Sequence, residues 1–137
     1  MTSRLLLGAV LLGACGGTLY TTQTATPAAA PADAIDCVRS KLREIHYDQV
    51  AFDEAQYRVV ARRVDYSAHR ADIQFRRMIY RLDVDATPSA DGKTELKVVG
   101  HTLAEYETHR GPTQVEERAS ADVNQAAQTL IQACGQA

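Results

Sequence analysis

The sequence predicts an α+β domain, a four-stranded antiparallel sheet flanked by an N-terminal and a C-terminal helix in the order α-β-β-β-β-α. Three observations carry this. Apolar residues recur every three or four positions at both ends of the domain, as on one face of a helix. Between those ends the period falls to two, with β-branched and aromatic residues concentrated there. The links between the period-two runs are too short for anything but antiparallel neighbours.

The first helix is expected from Asp33, a good N-cap, with Ile35, Val38, Leu42 and Ile45 forming an apolar stripe flanked by Arg39, Lys41 and Arg43. At the far end Ser120 caps a second helix in which Val123, Ala126 or Ala127, Leu130 and Cys134 share a face, and Gly135 stands where a helix stops. Strands are expected over 47–51, 57–66, 72–86 and 94–109, with turns at 53–56, 67–70 and 89–92. Asp91-Gly92 in the last turn is a strong hairpin signal. These turns set Val60 near Met78 and Val84 near Val99 on one face, with Val59, Ile79 and Ala104 on the other. Ile73 and Phe75 are in phase with Ile79, whereas Met78, Tyr80, Leu82 and Val84 take the opposite phase. Either a bulge switches the faces or both faces are partly buried. Both helices are expected on one face, leaving the other open.

Ahead of the domain, Met1-Thr2-Ser3-Arg4 leads into an apolar run from Leu5 to Leu12, then Gly13, Ala14 and Cys15. That charged, apolar, small-residue order is that of a secretory signal, and the run is far short of the ~20 residues that span a bilayer. Leu12-Gly13-Ala14-Cys15 resembles the lipobox of bacterial lipoproteins. The resemblance covers only the first 15 residues. It implies that residues 1–14 are a signal peptide cut before Cys15, that the Cys15 sulfur receives a diacylglycerol, and that the new amino terminus is acylated, with palmitate for example. Several chains together give a stable membrane anchor at about 0.8 kcal/mol per buried methylene. Gly16 stands where the family uses aspartate for inner-membrane retention. The implied address is the outer membrane facing the periplasm, or the outer face of the cytoplasmic membrane in a cell without an outer one.

Residues 15–32 then read as the lipidated cysteine and a flexible Thr/Ala/Pro linker without charge or apolar periodicity. Such a tether is expected to stay disordered and to span roughly 20–25 Å. A single domain is expected over 33–137. With Cys15 lipidated, Cys37 and Cys134 remain, one near each end of that domain, in a chain sent to an oxidising compartment. An even pair there reads as a disulfide joining the two helices. A redox or metal pair has little support: there is no Cys-x-x-Cys spacing and no histidine beside either cysteine.

Function is far less legible. Arg58, Arg62, Arg63, Arg70, Arg76, Arg77 and Arg81 concentrate on two neighbouring strands, and Glu95, Glu105, Glu107, Glu116 and Glu117 follow. The pattern reads as an anion-seeking patch, with Arg62, Arg76 and Arg77 as candidate interaction residues, or as charge pairing between strands, Arg76 opposite Glu107 for example. The chain carries 15 basic and 17 acidic side chains, and loss of Arg4 with the signal makes the mature protein more acidic still, which argues against nucleic acid.

No Gly-x-Ser-x-Gly, His-Glu-x-x-His or glycine-rich phosphate loop is present, so no catalytic role is expected. No metal or cofactor is expected either. His46, His69, His101 and His109 read as surface or turn residues, Asp83 and Asp85 as solvated acids, and Tyr47, Tyr57, Tyr66, Tyr80 and Tyr106 as sheet-packing residues. The expectation is a membrane-anchored envelope lipoprotein presenting a small non-catalytic protein-interaction module to an envelope protein partner. The alternative is a lipid-tethered binder of a small-molecule or glycan ligand. A pocket between helices and sheet favours the ligand; an open, apolar and Arg-rich face favours the protein contact.

Overall fold

The computed structural model describes residues 17–136; residues 1–14, expected to be a signal peptide, and Cys15 and Gly16 lie outside the described residues. The element order is β1 (Thr21–Ala25), α1 (Pro31–Glu44), β2 (Asp48–Asp53), β3 (Arg58–Asp65), β4 (Phe75–Pro88), β5 (Thr94–Thr108), β6 (Gly111–Glu117) and α2 (Ala121–Cys134). The α+β class and the antiparallel sheet are as expected. The sheet has six strands rather than four, in the order β1-β5-β4-β3-β2, with β6 also pairing β5.

Both unexpected strands lie on the same edge of β5. β1 runs antiparallel along residues 96–100, and β6 along residues 102–108. His101 sits at the seam between them. β1 corrects the reading of residues 15–32 as a disordered tether. Thr21, Thr22 and Thr24 are β-branched and suit a pleated surface, and the ladder with β5 satisfies backbone groups that composition alone does not count. The connection after it is also fixed: Pro27 is buried, and the Thr94 hydroxyl donates to the Ala29 carbonyl at 2.6 Å. The folded unit therefore takes in residues ahead of the expected boundary at 33.

The helix α1 begins two residues before Asp33. Ala30 occupies the N-cap without a side-chain bond, and Pro31 fills the first turn, where a missing N–H costs nothing. Asp33 instead lies in the first turn beside the positive end of the helix dipole. The other end closes in a Schellman arrangement: His46, at φ 62°, donates to the Arg43 carbonyl, and Tyr47 to that of Leu42. In α2 the Ser120 hydroxyl accepts from the Val123 N–H, and Gly135 is the C-cap, as expected.

Cys37 and Cys134 form the disulfide, with Cα atoms 5.7 Å apart. It joins the second turn of α1 to the last residue of α2. Ile45, past the end of α1, lines a cavity with Gln125 and Ala126 near the start of α2, so the two helices lie antiparallel. Both pack on one face of the sheet. Ile35, Val38, Leu42, Val123, Ala127 and Leu130 meet Val59, Leu82, Val84, Leu96, Val98 and Ala104, all fully or almost fully buried.

Register decides which residues meet the helices. Val59 is opposite Val84, and Ala61 opposite Leu82. Val60 pairs with Asp83 and Val99 does likewise from the other side, so Val60 does not share a face with Met78, nor Val84 with Val99. Ala104, opposite Met78, belongs to the helix side and parts company with Ile79, which pairs with Leu103. The phase conflict in β4 is resolved by a bulge between Phe75 and Arg77. It lets Phe75 reach the helix-side core while Ile79 keeps to the other face. Ile73 precedes the strand and is exposed.

Candidate functional site

The face away from the helices is built from alternate residues of β2 to β6. On β4 these are Arg77, Ile79, Arg81, Asp83 and Asp85, and cross-strand register places Val60, Arg62 and Val64 on one side and Val99, His101, Leu103 and Glu105 on the other. Ile79 is only 2% exposed although no helix covers it. Long polar side chains roof it instead, their stems lying over apolar surface while their charged ends reach water.

Most of those charges are paired. Arg77 donates from Nε to Glu105 at 2.8 Å and from Nη1 to the Tyr66 hydroxyl at 2.9 Å. The Glu105 hydrogen bond holds the Arg77 guanidinium more firmly protonated than usual. Arg81 meets Asp83 at 2.8 Å, and Arg58 meets Asp85 at 3.5 Å. His101 lies between two carboxylates, its Nδ1 2.5 Å from Glu116 and its Nε2 3.5 Å from Asp83, with Tyr20 tilted against its ring at 5.7 Å. Two residues read as solvent-facing are thus set into the sheet face: His101, which is half-buried, and Asp83, which is buried. Only the register shows that β6 brings a carboxylate to His101.

The three arginines singled out from the sequence have different surroundings. Arg77 is committed to Glu105. Arg76 is exposed at the bulge and, among the described residues, makes no ion pair; its expected partner Glu107 pairs in the ladder with Pro112. Arg62 also makes no ion pair among the described residues; it lies in register with the like charge of Arg81 on β4 and with Asp48 on β2. A shallow groove of about 160 Å³ opens beside it, lined by Val50, Val60, Ile79 and Leu103 with Arg62, Arg81 and Gln114. The site is a thin apolar floor beside Arg62, a cation without an ion pair among the described residues.

Two small cavities lie on the helix side. One, of about 240 Å³, is lined by Ile45, Tyr47, Arg63, Asp122, Gln125, Ala126 and Thr129. Arg63 stands over the rings of Tyr47 and Tyr80 at 5.4 and 5.3 Å, and its guanidinium is 3.9 Å from Asp122. The buried Tyr47 hydroxyl has no hydrogen-bond partner among the described residues, and burial pushes its pKa up to about 12. The other, of about 300 Å³, lies between α1 and the β2–β3 turn, where Arg39 stacks on Phe52 at 4.0 Å. Among the described residues no cluster of three or more His, Cys, Asp or Glu side chains is arranged to hold a metal ion, and no helix is long and apolar enough to cross a membrane. No protein-family model and no curated protein matches the chain.

Proposed function

We propose that this chain is an envelope lipoprotein, held in the membrane by acyl chains on Cys15, whose α+β module is a non-catalytic docking platform for an acidic segment of another envelope protein. The observation that carries this reading is the unpaired Arg62 beside the apolar groove on the uncovered sheet face. An acidic residue of a partner would neutralise Arg62 and separate it electrostatically from Arg81, while an aliphatic neighbour covers Ile79 and Leu103. Arg76, exposed at the bulge of β4 and without an ion pair among the described residues, is a second cation for such a segment to meet. Such charges steer encounter and set specificity more than they add affinity.

The experiment has two parts. Cys15→Ser should abolish fatty-acid labelling and release the protein from membranes; unchanged retention of a native protein that takes no label overturns the anchor. The double variant Arg62→Glu, Arg76→Glu should lose the partners crosslinked to the native protein while keeping its circular dichroism spectrum. Unaltered crosslinking overturns the docking role. Arg77 is left out of that variant because its pairing with the buried Glu105 is structural.

A second reading, binding of a small-molecule or glycan ligand, is favoured by one observation, the unpartnered Tyr47 hydroxyl at a cavity that also presents Arg63. The cavity lies below the usual volume range for ligand sites, about 300–1,000 Å³, which ranks this reading second.

A further inference from the structure

We infer that the module lies directly on the lipid surface, with Leu19 and Tyr20 in the headgroup layer at the seam between β1 and β6, instead of standing off on a stalk. This rests on the anchoring of Cys15 proposed above. Tethering length is set by where the chain is first pinned to the fold, and that point is Leu19, whose carbonyl accepts a 2.7 Å hydrogen bond from the Ala119 N–H. Thr18 donates its hydroxyl to the Tyr20 carbonyl, and the Tyr20 ring leans on His101. Three residues, 16–18, separate Cys15 from this point. From Cys15 to Leu19 even a fully extended chain spans no more than about 14 Å. A headgroup layer occupies about 5–7 Å of that on each side of the bilayer, so the seam has almost no room to leave the surface.

The seam has the chemistry of an interfacial contact. Leu19 and Tyr20 are 44% and 42% exposed, large apolar groups on an edge otherwise rich in Thr and Glu. Tyrosine suits the headgroup level, where an apolar ring and a polar tip are both satisfied. Arg118, next to Ala119, is exposed and has no carboxylate partner among the described residues. The two acids that precede it are already engaged, Glu116 by His101 and Glu117 by Arg70 at 2.6 Å. Arg118 is left without an ion partner among the described residues, and a basic group near an anionic leaflet is attracted by it. Two apolar side chains and one arginine would not hold a free domain on a bilayer. Attached to an acyl anchor a few residues away, they act at high effective concentration.

The chain contains no tryptophan, so a single introduced one reports its own depth. Tyr20→Trp places it at the seam; Phe52→Trp places it on β2, the opposite edge, about 19 Å away at four strand spacings. The lipidated full chain is reconstituted into vesicles of phosphatidylethanolamine with a minority of phosphatidylglycerol, and brominated acyl chains serve as the quencher. The Tyr20→Trp protein should lose most of its emission and the Phe52→Trp protein should keep it. Leu19→Trp, one residue nearer the anchor, should behave as Tyr20→Trp does and serves if that variant does not fold. Fatty-acid labelling of the same preparation separates the two layers of the argument. A preparation without label overturns the anchor and this inference with it. A labelled preparation whose seam tryptophan is no more quenched than the one on β2 overturns the orientation alone.

Discussion

The two faces of the sheet bury apolar residues in different ways. On the helix side, Leu82 and Val84 are sealed by rigid elements whose ends are tied together by Cys37 and Cys134. On the other, Ile79 is sealed by flexible side chains held in place by ion pairs. Burial of an isoleucine therefore does not require a second layer of secondary structure. It does require charges that are kept in position, and a face built this way is open to exchange one of its own partners for another molecule's. Arg62, without an ion pair among the described residues, is where the proposed docking would engage such a face without displacing an internal partner.

The contrast can be broken most severely on the stapled side. Replacing Cys37 and Cys134 with serine should cost about 2–5 kcal/mol, because the bond closes a long loop in the unfolded chain. Thermal denaturation with and without reductant measures it, and a native protein whose melting point ignores reductant contradicts it. Leu82→Ala should also cost about 2–5 kcal/mol, near the top of that range, since helices and disulfide keep the cavity from collapsing. Ile79→Ala should fall near the bottom, because the arginine and glutamate stems above it can settle into the space. Equal losses in denaturant titrations of the two variants would show the roof over Ile79 to be as rigid as the helices.

Smaller effects sharpen the picture. Arg77→Ala should cost about 1–3 kcal/mol, the range for a hydrogen bond to a charged group whose partner stays buried, because Glu105 is only 8% exposed. Loss of less than the effect of Arg62→Ala in the same titration would place Arg77 among the free cations after all. The smallest change is expected at Tyr47. Its folded pKa is raised from 10.0 to about 12 by burial. The contribution of this group is therefore fully present below pH 10 and is lost as pH rises from there through the folded value. Tyr47→Phe should remove that alkaline loss and be neutral or mildly stabilising at neutral pH, since the hydroxyl it deletes is unpaired. Denaturation at neutral pH and between pH 10 and 12 distinguishes the two; a clear loss at neutral pH would mean that the hydroxyl has a partner.

Much of the fold was legible because it is written in local patterns. Both helical stripes, the Ser120 cap, the Gly135 stop, the Asp91-Gly92 turn and the phase conflict around Phe75 each depend on residues close together in sequence. What escaped depends on distant partners. The threonines of β1 are strand formers, yet their ladder lies on residues 96–100, and no local signal distinguishes that from a soluble tether. Pro31 is different: its preference for the first helical turn was available and marks the true start of α1 better than Asp33. In β6, Gly111 at φ 99° makes the turn that returns the chain along β5. The fate of His101, Asp83 and Arg62 was equally out of reach, because alternation gives a face but not which charge stands opposite which.

The position of β1 also bears on the order of assembly. Strands β2 to β5 form a meander whose neighbours are joined by turns, whereas β1 pairs across Thr21 and Gly100, with most of the domain between them. Gly100 has no side chain at that crossing, and a Cβ there would lie 2.9 Å from the Thr21 methyl and 3.2 Å from Val123. Closing so long a loop is slow compared with local pairing. The strand nearest the proposed Cys15 anchor is thus held by the least local ladder of the sheet, and a pull transmitted through that anchor would meet this ladder first.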